Sequence, residues 1–314
     1  MDFYVGITDE NWFQFLASHD FDEVNFWRPR DQSRFRAIPT GAPFLFKLKK
    51  PKDVIVGVAY FAAFRKLPVP MAWDAFGIEN GAPSYEAFVR SLGRLSKEAP
   101  TSVLDREIGC IILTEPTFFN EPDWIDTPTD WPSNIMQGMV YSTSNVFGAT
   151  LWDEVRARLH NDEPQAVMDL AVRELQSPYG PTDGVPILAK RRLGQGLFRV
   201  MTLENYGGRC CVTGESTAPV IEAAHIRPIS LGGEHRLDNG LALRADMHIL
   251  YDRGLISVDP DYRIRVSPRI RDLYHNGVVY YRHDLEQLRS LPNDPATCPN
   301  REMLDWHFRE VFAA

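Results

Sequence analysis

The stretch Glu222–Gly254, EAAHIRPISLGGEHRLDNGLALRADMHILYDRG, holds the residues of this chain best suited to chemistry. His225 carries an imidazole, which titrates near neutral pH and can take a proton from water. His248 and Asp252 stand four residues apart, so a helix puts a nitrogen and an oxygen donor on one face, one turn from each other. Such a pair suits a hard divalent cation whose remaining positions are filled by water and substrate oxygens. Asn239 has an amide that both donates and accepts, which suits it to bridging backbone across a loop and holding the other groups in line.

Positioning these groups takes a strand for His225, a loop for Asn239 and a short helix for His248. Pro228 and Gly232-Gly233 let the chain double back between the first two. Upstream, Cys211–Gly214 and Val220–Ala224 read as a hairpin leading into His225. Ala189–Tyr206 reads as a helix, stopped by Gly207-Gly208. Downstream, apolar Tyr262, Ile264 and Val266 alternate with Arg263 and Arg265, which predicts a strand with one basic face. Arg301–Phe312 closes the chain as a helix.

This order of His, Asn and His, at these separations, resembles the HNH, or ββα-metal, nucleases over residues 187–314. The resemblance implies a ββα-metal domain that hydrolyses DNA phosphodiesters. It makes His225 the general base, Asn239 the organiser of the loop and His248 a ligand for Mg²⁺ or Mn²⁺. Many members carry Asp or His directly before the base, and that residue binds the metal. Here the position is Ala224, so the metal burden falls on His248 and Asp252. Glu222 shares the strand face of Ala224 and is a more distant third candidate. Some members also hold a structural zinc on two pairs of cysteines. The corresponding turn here reads CVTG, Cys211–Gly214, and no second pair follows, so no structural zinc is expected. His235, in the GGEHR turn, is expected to face solvent, the alternative being a contact with phosphate.

The 314 residues are comfortable for two domains, and 44% hydrophobic with 24% charged residues is an ordinary globular balance. The longest apolar runs are too short to cross a bilayer, and the first residues, MDFYVGITDENWF, lack the pattern of a secretory signal. A soluble, cytoplasmic protein without a membrane partner is expected. Four cysteines, two of them adjacent, make no disulfide framework. The net charge of −8 excludes a uniformly basic surface, but the field that guides DNA is local. Acidic residues gather in Leu151–Leu175 and basic ones in Lys190–Arg209. Arg191, Arg192 and Arg199 are candidate phosphate contacts, the alternative being a solvated helix face.

Residues 1–150 read as mainly β. PFLFKL (Pro43–Leu48) and VIVGVAYF (Val54–Phe61), joined by a Lys-Lys-Pro-Lys-Asp turn, predict a hairpin, and IGCIILT (Ile108–Thr114) predicts a further strand. Helices are expected at Thr8–Ser18 and Ser84–Leu95, with Ser84 as a cap. A small, partly closed β-barrel decorated by helices is the expected architecture, giving an α+β chain. Residues 151–186 read as a helical connector, its helices at Leu151–Leu159 and Pro164–Leu175, and the run SPYGPTDGVP reads as the linker.

The segment VNFWRPRDQSRFRAIPTGAPFLFKL, with VIVGVAYF, resembles the EVE domains of the PUA-like superfamily, which also includes readers of modified bases. Chains that join such a domain to an HNH module resemble modification-dependent restriction endonucleases. A base reader must extrude its base into an aromatic pocket with a few polar groups on the base edge. Trp27, Asp31, Trp73, Asn134 and Gln137 are the candidates, against the reading that tryptophans mostly build core. The expected partner is double-stranded DNA bearing a modified base, with 5-methylcytosine the expected mark. Cutting both strands calls for a homodimer or two binding events. The rivals are a nuclease directed by another mark, such as phosphorothioate, and a non-catalytic nucleic-acid binding protein.

Overall fold

The computed structural model describes residues 1–29, 34–96, 106–159 and 194–313. It divides into two compact units, Met1–Gly184 and Val185–Ala314. Asp31, Arg191, Arg192, the helix expected at Pro164–Leu175 and the SPYGPTDGVP run lie outside the described residues.

The first unit is built on strands β1 (Asp2–Thr8), β2 (Glu23–Arg28), β3 (Pro43–Leu48), β4 (Val54–Pro68), β5 (Glu107–Phe118), β6 (Ile125–Asp126) and β7 (Gly138–Ser142). They form one mixed sheet in the order β2-β5-β4-β3-β1-β7, with β6 attached to β4. β1 and β3 run parallel, and the other pairs are antiparallel. The predicted hairpin is β3 and β4, with Phe44 opposite Ala59 and Phe46 opposite Gly57. The sheet does not show the closure that a barrel requires: among the described residues, β2 and β7 end the path unpaired with one another. β4 also runs further than VIVGVAYF, to Pro68. The register shifts at Val58/Tyr60 and Phe61/Ala63 let it turn its faces along β5.

Both faces of this sheet are covered, which explains its aromatic content. Tyr4, Phe26, Phe44 and Phe46 point to one side, with Trp12, Phe13 and Leu16 of helix α1 (Glu10–Ala17) packed on them. Phe3, Val5 and Leu45 alternate to the other side, where Leu151 and Val155 of a second helix cover them. Burying one such side chain contributes about 1.5–3 kcal/mol. The covering helix, Val146–Leu159, starts five residues before the predicted connector and packs into this core. α1 is capped by Asp9, whose Oδ1 accepts from Asn11 N–H at 3.1 Å. The helix Tyr85–Ser96 begins where Ser84 Oγ accepts from Ala87 N–H at 3.3 Å.

The second unit carries a ββα core. Strands β8 (Ile221–His225) and β9 (Gly240–Arg244) are antiparallel, and the helix Ala245–Asp252 follows directly. The helix Gln195–Asn205 packs on the hairpin, ending at Gly207 and Gly208, both at positive φ, as expected. The hairpin partner differs from the sequence expectation. Cys211–Gly214 is a turn, closed by Gly214 N–H to Cys210 O at 2.9 Å and hung on β9 by Cys211 N–H to Ala242 O at 2.8 Å. A four-residue run, Cys-Val-Thr-Gly, whose glycine sits at φ +76° closes a turn more readily than it extends as a strand. The strand expected at Tyr262–Val266 begins at Ile264 (β11, Ile264–Val266), paired with β10 (Ile256–Val258). Tyr262 itself sits at φ 61°, inside the turn that Asp259 braces by accepting from Asp261 and Arg263 N–H. The last helix, Arg301–Glu310, is capped by Asn300, which accepts from Glu302 and Met303 N–H.

Candidate active site

His225 is the last residue of β8 and lies opposite Gly240. One face of its ring stacks on Phe198 of the helix Gln195–Asn205, with centroids 4.1 Å apart and planes 11° from parallel. Its Nε2 lies 3.0 Å from Nδ1 of His235. Burial, then the neighbouring His235 and His248, pushes the His225 imidazole down to about 4. The ring is therefore neutral at ordinary pH, with a lone pair available for a proton.

Asn239 is fully buried beneath the loop that joins the strands. Its Oδ1 accepts from Arg227 N–H at 2.8 Å, and its Nδ2 donates to Arg227 O at 3.0 Å and to Glu234 O at 2.9 Å. The carbonyl of Asn239 accepts from Ile226 N–H at 2.9 Å. The amide thus ties both arms of the loop together beside His225, the bridging geometry its chemistry suggested.

His248 and Asp252 sit one turn apart on the helix Ala245–Asp252, with Nε2 and Oδ2 separated by 3.4 Å. Two donors about 2.1 Å from one octahedral ion lie roughly 3 Å apart, so this spacing fits neighbours in a single coordination shell. Asp252 is 57% exposed, which leaves room for water and substrate oxygens. Glu222 takes a different place from the third ligand considered from the sequence. Its Oε2 lies 2.7 Å from Nδ1 of His248, on the ring nitrogen turned away from Asp252. A carboxylate there fixes the tautomer and aims Nε2 outward, as the outer partners of metal-bound imidazoles do. Among the described residues, no three of His, Cys, Asp and Glu gather as a ready-made metal cage.

His235 is half-buried and bonded to His225, where the sequence suggested solvent. Phe198 and His235 escape sequence reasoning because their contacts depend on how a helix and a loop fold over the hairpin. Arg199, the one described member of the predicted phosphate contacts, is half-buried, and its Nε makes no hydrogen bond. A polar cavity of about 460 Å³ in the same unit is lined by Arg244, Arg282 and Arg289, with Glu215 and Glu286. Arg244 is held by both carboxylate oxygens of Asp246, at 2.6 and 2.8 Å. Arg282 and Arg289 are exposed.

The first unit has a cavity of about 340 Å³ that gathers Trp27 and Gln137 from the predicted base pocket. Trp12, Phe26 and Met136 add apolar wall, and Asp9, Arg28 and Lys49 add charge. The Trp27 indole N–H donates to Asn80 O at 2.8 Å, which leaves only its ring for a ligand. Trp73 is not a wall of this cavity, because it packs against Tyr85 and Phe88 instead. Asn134 is exposed and lies outside the lining.

One strand-loop-strand-helix frame thus presents an imidazole, a buried Asn and a His-Asp pair. The family model described as HNH endonuclease (HNH_2) matches residues 210–259, which include all four of these groups. The chain therefore carries an HNH endonuclease domain. No curated protein is similar enough to count as a relative. Similar solved structures include ASCH from Zymomonas mobilis, at 15% identity over 38% of this chain and 74% of that one, with a TM-score of 0.26. A point mutant of that ASCH protein matches at 12% identity over 51% of this chain and 94% of that one, with a TM-score of 0.31. The modification dependent TagI restriction endonuclease matches at 12% over 96% and 79%, TM-score 0.29. Likenesses at this level assign no residue.

Proposed function

We propose that this protein is a modification-dependent restriction endonuclease. In this reading its first unit holds a modified base, with 5-methylcytosine the expected mark, and its second unit hydrolyses the DNA backbone. The observation that carries the reading is the neutral, partly buried imidazole of His225 in the same small frame as the outward-facing His248–Asp252 pair. His225 takes a proton from the attacking water, and Asn239 keeps the loop from moving the base out of line. His248 Nε2 and the Asp252 carboxylate would hold Mg²⁺ or Mn²⁺, and Glu222 orients the His248 ring. When bound, the ion supplies positive charge against the phosphate and the leaving oxygen.

The cavity of the first unit supports the reader half. A volume of about 340 Å³ is at the small end of ligand sites. Its Trp27 and Met136 offer apolar surface to a base and its methyl group, and Gln137 offers a donor and an acceptor to a base edge.

The test is incubation with Mg²⁺ or Mn²⁺ and plasmids that carry or lack cytosine methylation. Cutting of methylated plasmid alone is expected. Equal cutting of both removes the reader half, and no cutting of any DNA favours a binding protein. A His225→Ala protein should bind the methylated plasmid and leave it intact.

A further inference from the structure

We propose that His235 is a positioning residue for the base: by accepting a hydrogen bond from Nε2–H of His225, it selects the tautomer whose bare Nδ1 takes the proton from water. This rests on the nuclease reading of the same site. Two ring nitrogens 3.0 Å apart bond only if one of them carries the hydrogen. If His235 donated, a neutral His225 would keep its own proton on Nδ1 and have no lone pair there. If His225 donates, Nδ1 is bare, and Nδ1 makes no hydrogen bond among the described residues. Only the second arrangement leaves a base.

The surroundings hold the pair in this geometry. Phe198 stacks on His225 and lies 5.6 Å from the His235 ring, so one aromatic side chain backs both. His235 directly follows Glu234, whose carbonyl is held by Asn239 Nδ2 at 2.9 Å and by Arg236 N–H at 2.9 Å. Gly233 sets the approach to that point: a Cβ there would lie 1.9 Å from Arg227 O. The buried amide of Asn239 therefore reaches the base through His235 as well as through the loop. The charged and titratable groups facing His225 are His235 and His248, the latter with Glu222 against it, while the helix Gln195–Asn205 offers it the Phe198 ring. In the step itself a water O–H bond breaks, an N–H bond forms at Nδ1, and the Nε2–H stays directed at His235 to share the new charge.

The tautomer is read directly by long-range ¹H–¹⁵N correlation in ¹⁵N-histidine protein without metal. His225 should carry its proton on Nε2 in the wild type and become a mixture in His235→Ala. In cleavage, His235→Ala should lower kcat about 100-fold with KM for DNA unchanged, within the range general acid–base catalysis commands. His235→Asn, whose amide oxygen can accept the same bond, should recover much of that loss and keeps a polar group in the loop should the alanine variant fail to fold. An Nδ1–H His225 in the wild type, or a tautomer and kcat indifferent to His235→Ala, overturns the proposal. Failure of the wild type to cut any DNA would sink the nuclease reading instead, and the spectrum would still decide the tautomer.

Discussion

The carboxylate of Glu222 meets Nδ1 of His248 at 2.7 Å, and Nε2 of the same ring faces Asp252 at 3.4 Å. One imidazole is thus clamped on its inner nitrogen and presented on its outer one. Glu222→Gln should leave the fold intact and weaken Mn²⁺ binding by about 10–100-fold, the usual effect of losing an outer partner. Calorimetric titration of the metal-free protein measures this. An unchanged affinity would mean that Glu222 neither orients the ligand nor binds the ion.

Asn239 matters to stability as much as to chemistry. Asn239→Ala leaves Arg227 N–H and Arg227 O without their amide partner inside the loop, and Glu234 O is left with its bond from Arg236 N–H. Each buried partner left unsatisfied costs about 1–3 kcal/mol. The second unit should unfold at clearly lower urea, with cleavage falling at temperatures where the protein is still folded. Stability equal to wild type would show that water or a shifted loop replaces the amide.

The two units should respond to pH in opposite directions. In the second, burial holds His225 and His307 down to about 4, from 6.5. Between those values the unfolded chain binds protons that the folded one does not, so this contribution is complete above pH 6.5 and lost as pH falls through 4. In the first, burial and the nearby Glu23 and Asp22 push Glu79 up to about 8, from 4.5. There the folded state keeps the proton, so the contribution is present below 4.5 and lost as pH rises through 8. Hydrogen exchange resolved by unit, from pH 5 to 8, should show the first unit loosening and the second tightening. Parallel trends would contradict both assignments.

DNA binding should draw on the arginine-lined cavity of the second unit. With His225→Ala as background, replacing exposed Arg282 and Arg289 by Ala should flatten the plot of log affinity against log salt by about 1 for each lost phosphate contact. Fluorescence anisotropy over a salt series measures the slope. An unaltered slope would place the DNA path elsewhere.

The groups of the candidate site are legible in the sequence because a helix turn and a strand end are local: His248, Asp252 and His225 depend on spacing that any reader of the chain can count. Asn239 is legible for the same reason, as its partners lie within one loop. What cannot be read is what crosses elements. Phe198 reads as one more apolar residue on a helix, and His235 as a polar residue in a turn. Their contacts with His225 follow from the register of β8 against β9 and the angle of the helix Gln195–Asn205, neither written in local composition. Glu222 stands out for its strand face, but its bond to His248 requires the helix to be docked. In the first unit, Trp27 and Gln137 line the same cavity because both stand where strands end. Trp73 does not join them, since aromatic residues serve packing before they serve ligands.

Gly240, across the hairpin from the base, touches no substrate in the proposed reaction. Yet a methyl group there would press to 2.8 Å from Thr202 Oγ1 and 3.1 Å from Phe198 Cε2. The side chains of Thr202 and Phe198 would have to give way, and the aromatic floor under the imidazole would shift with them. The smallest side chain in the hairpin is thereby a spacer whose thickness sets the aim of the nuclease, and enlarging it should blunt cutting without altering any group that meets DNA.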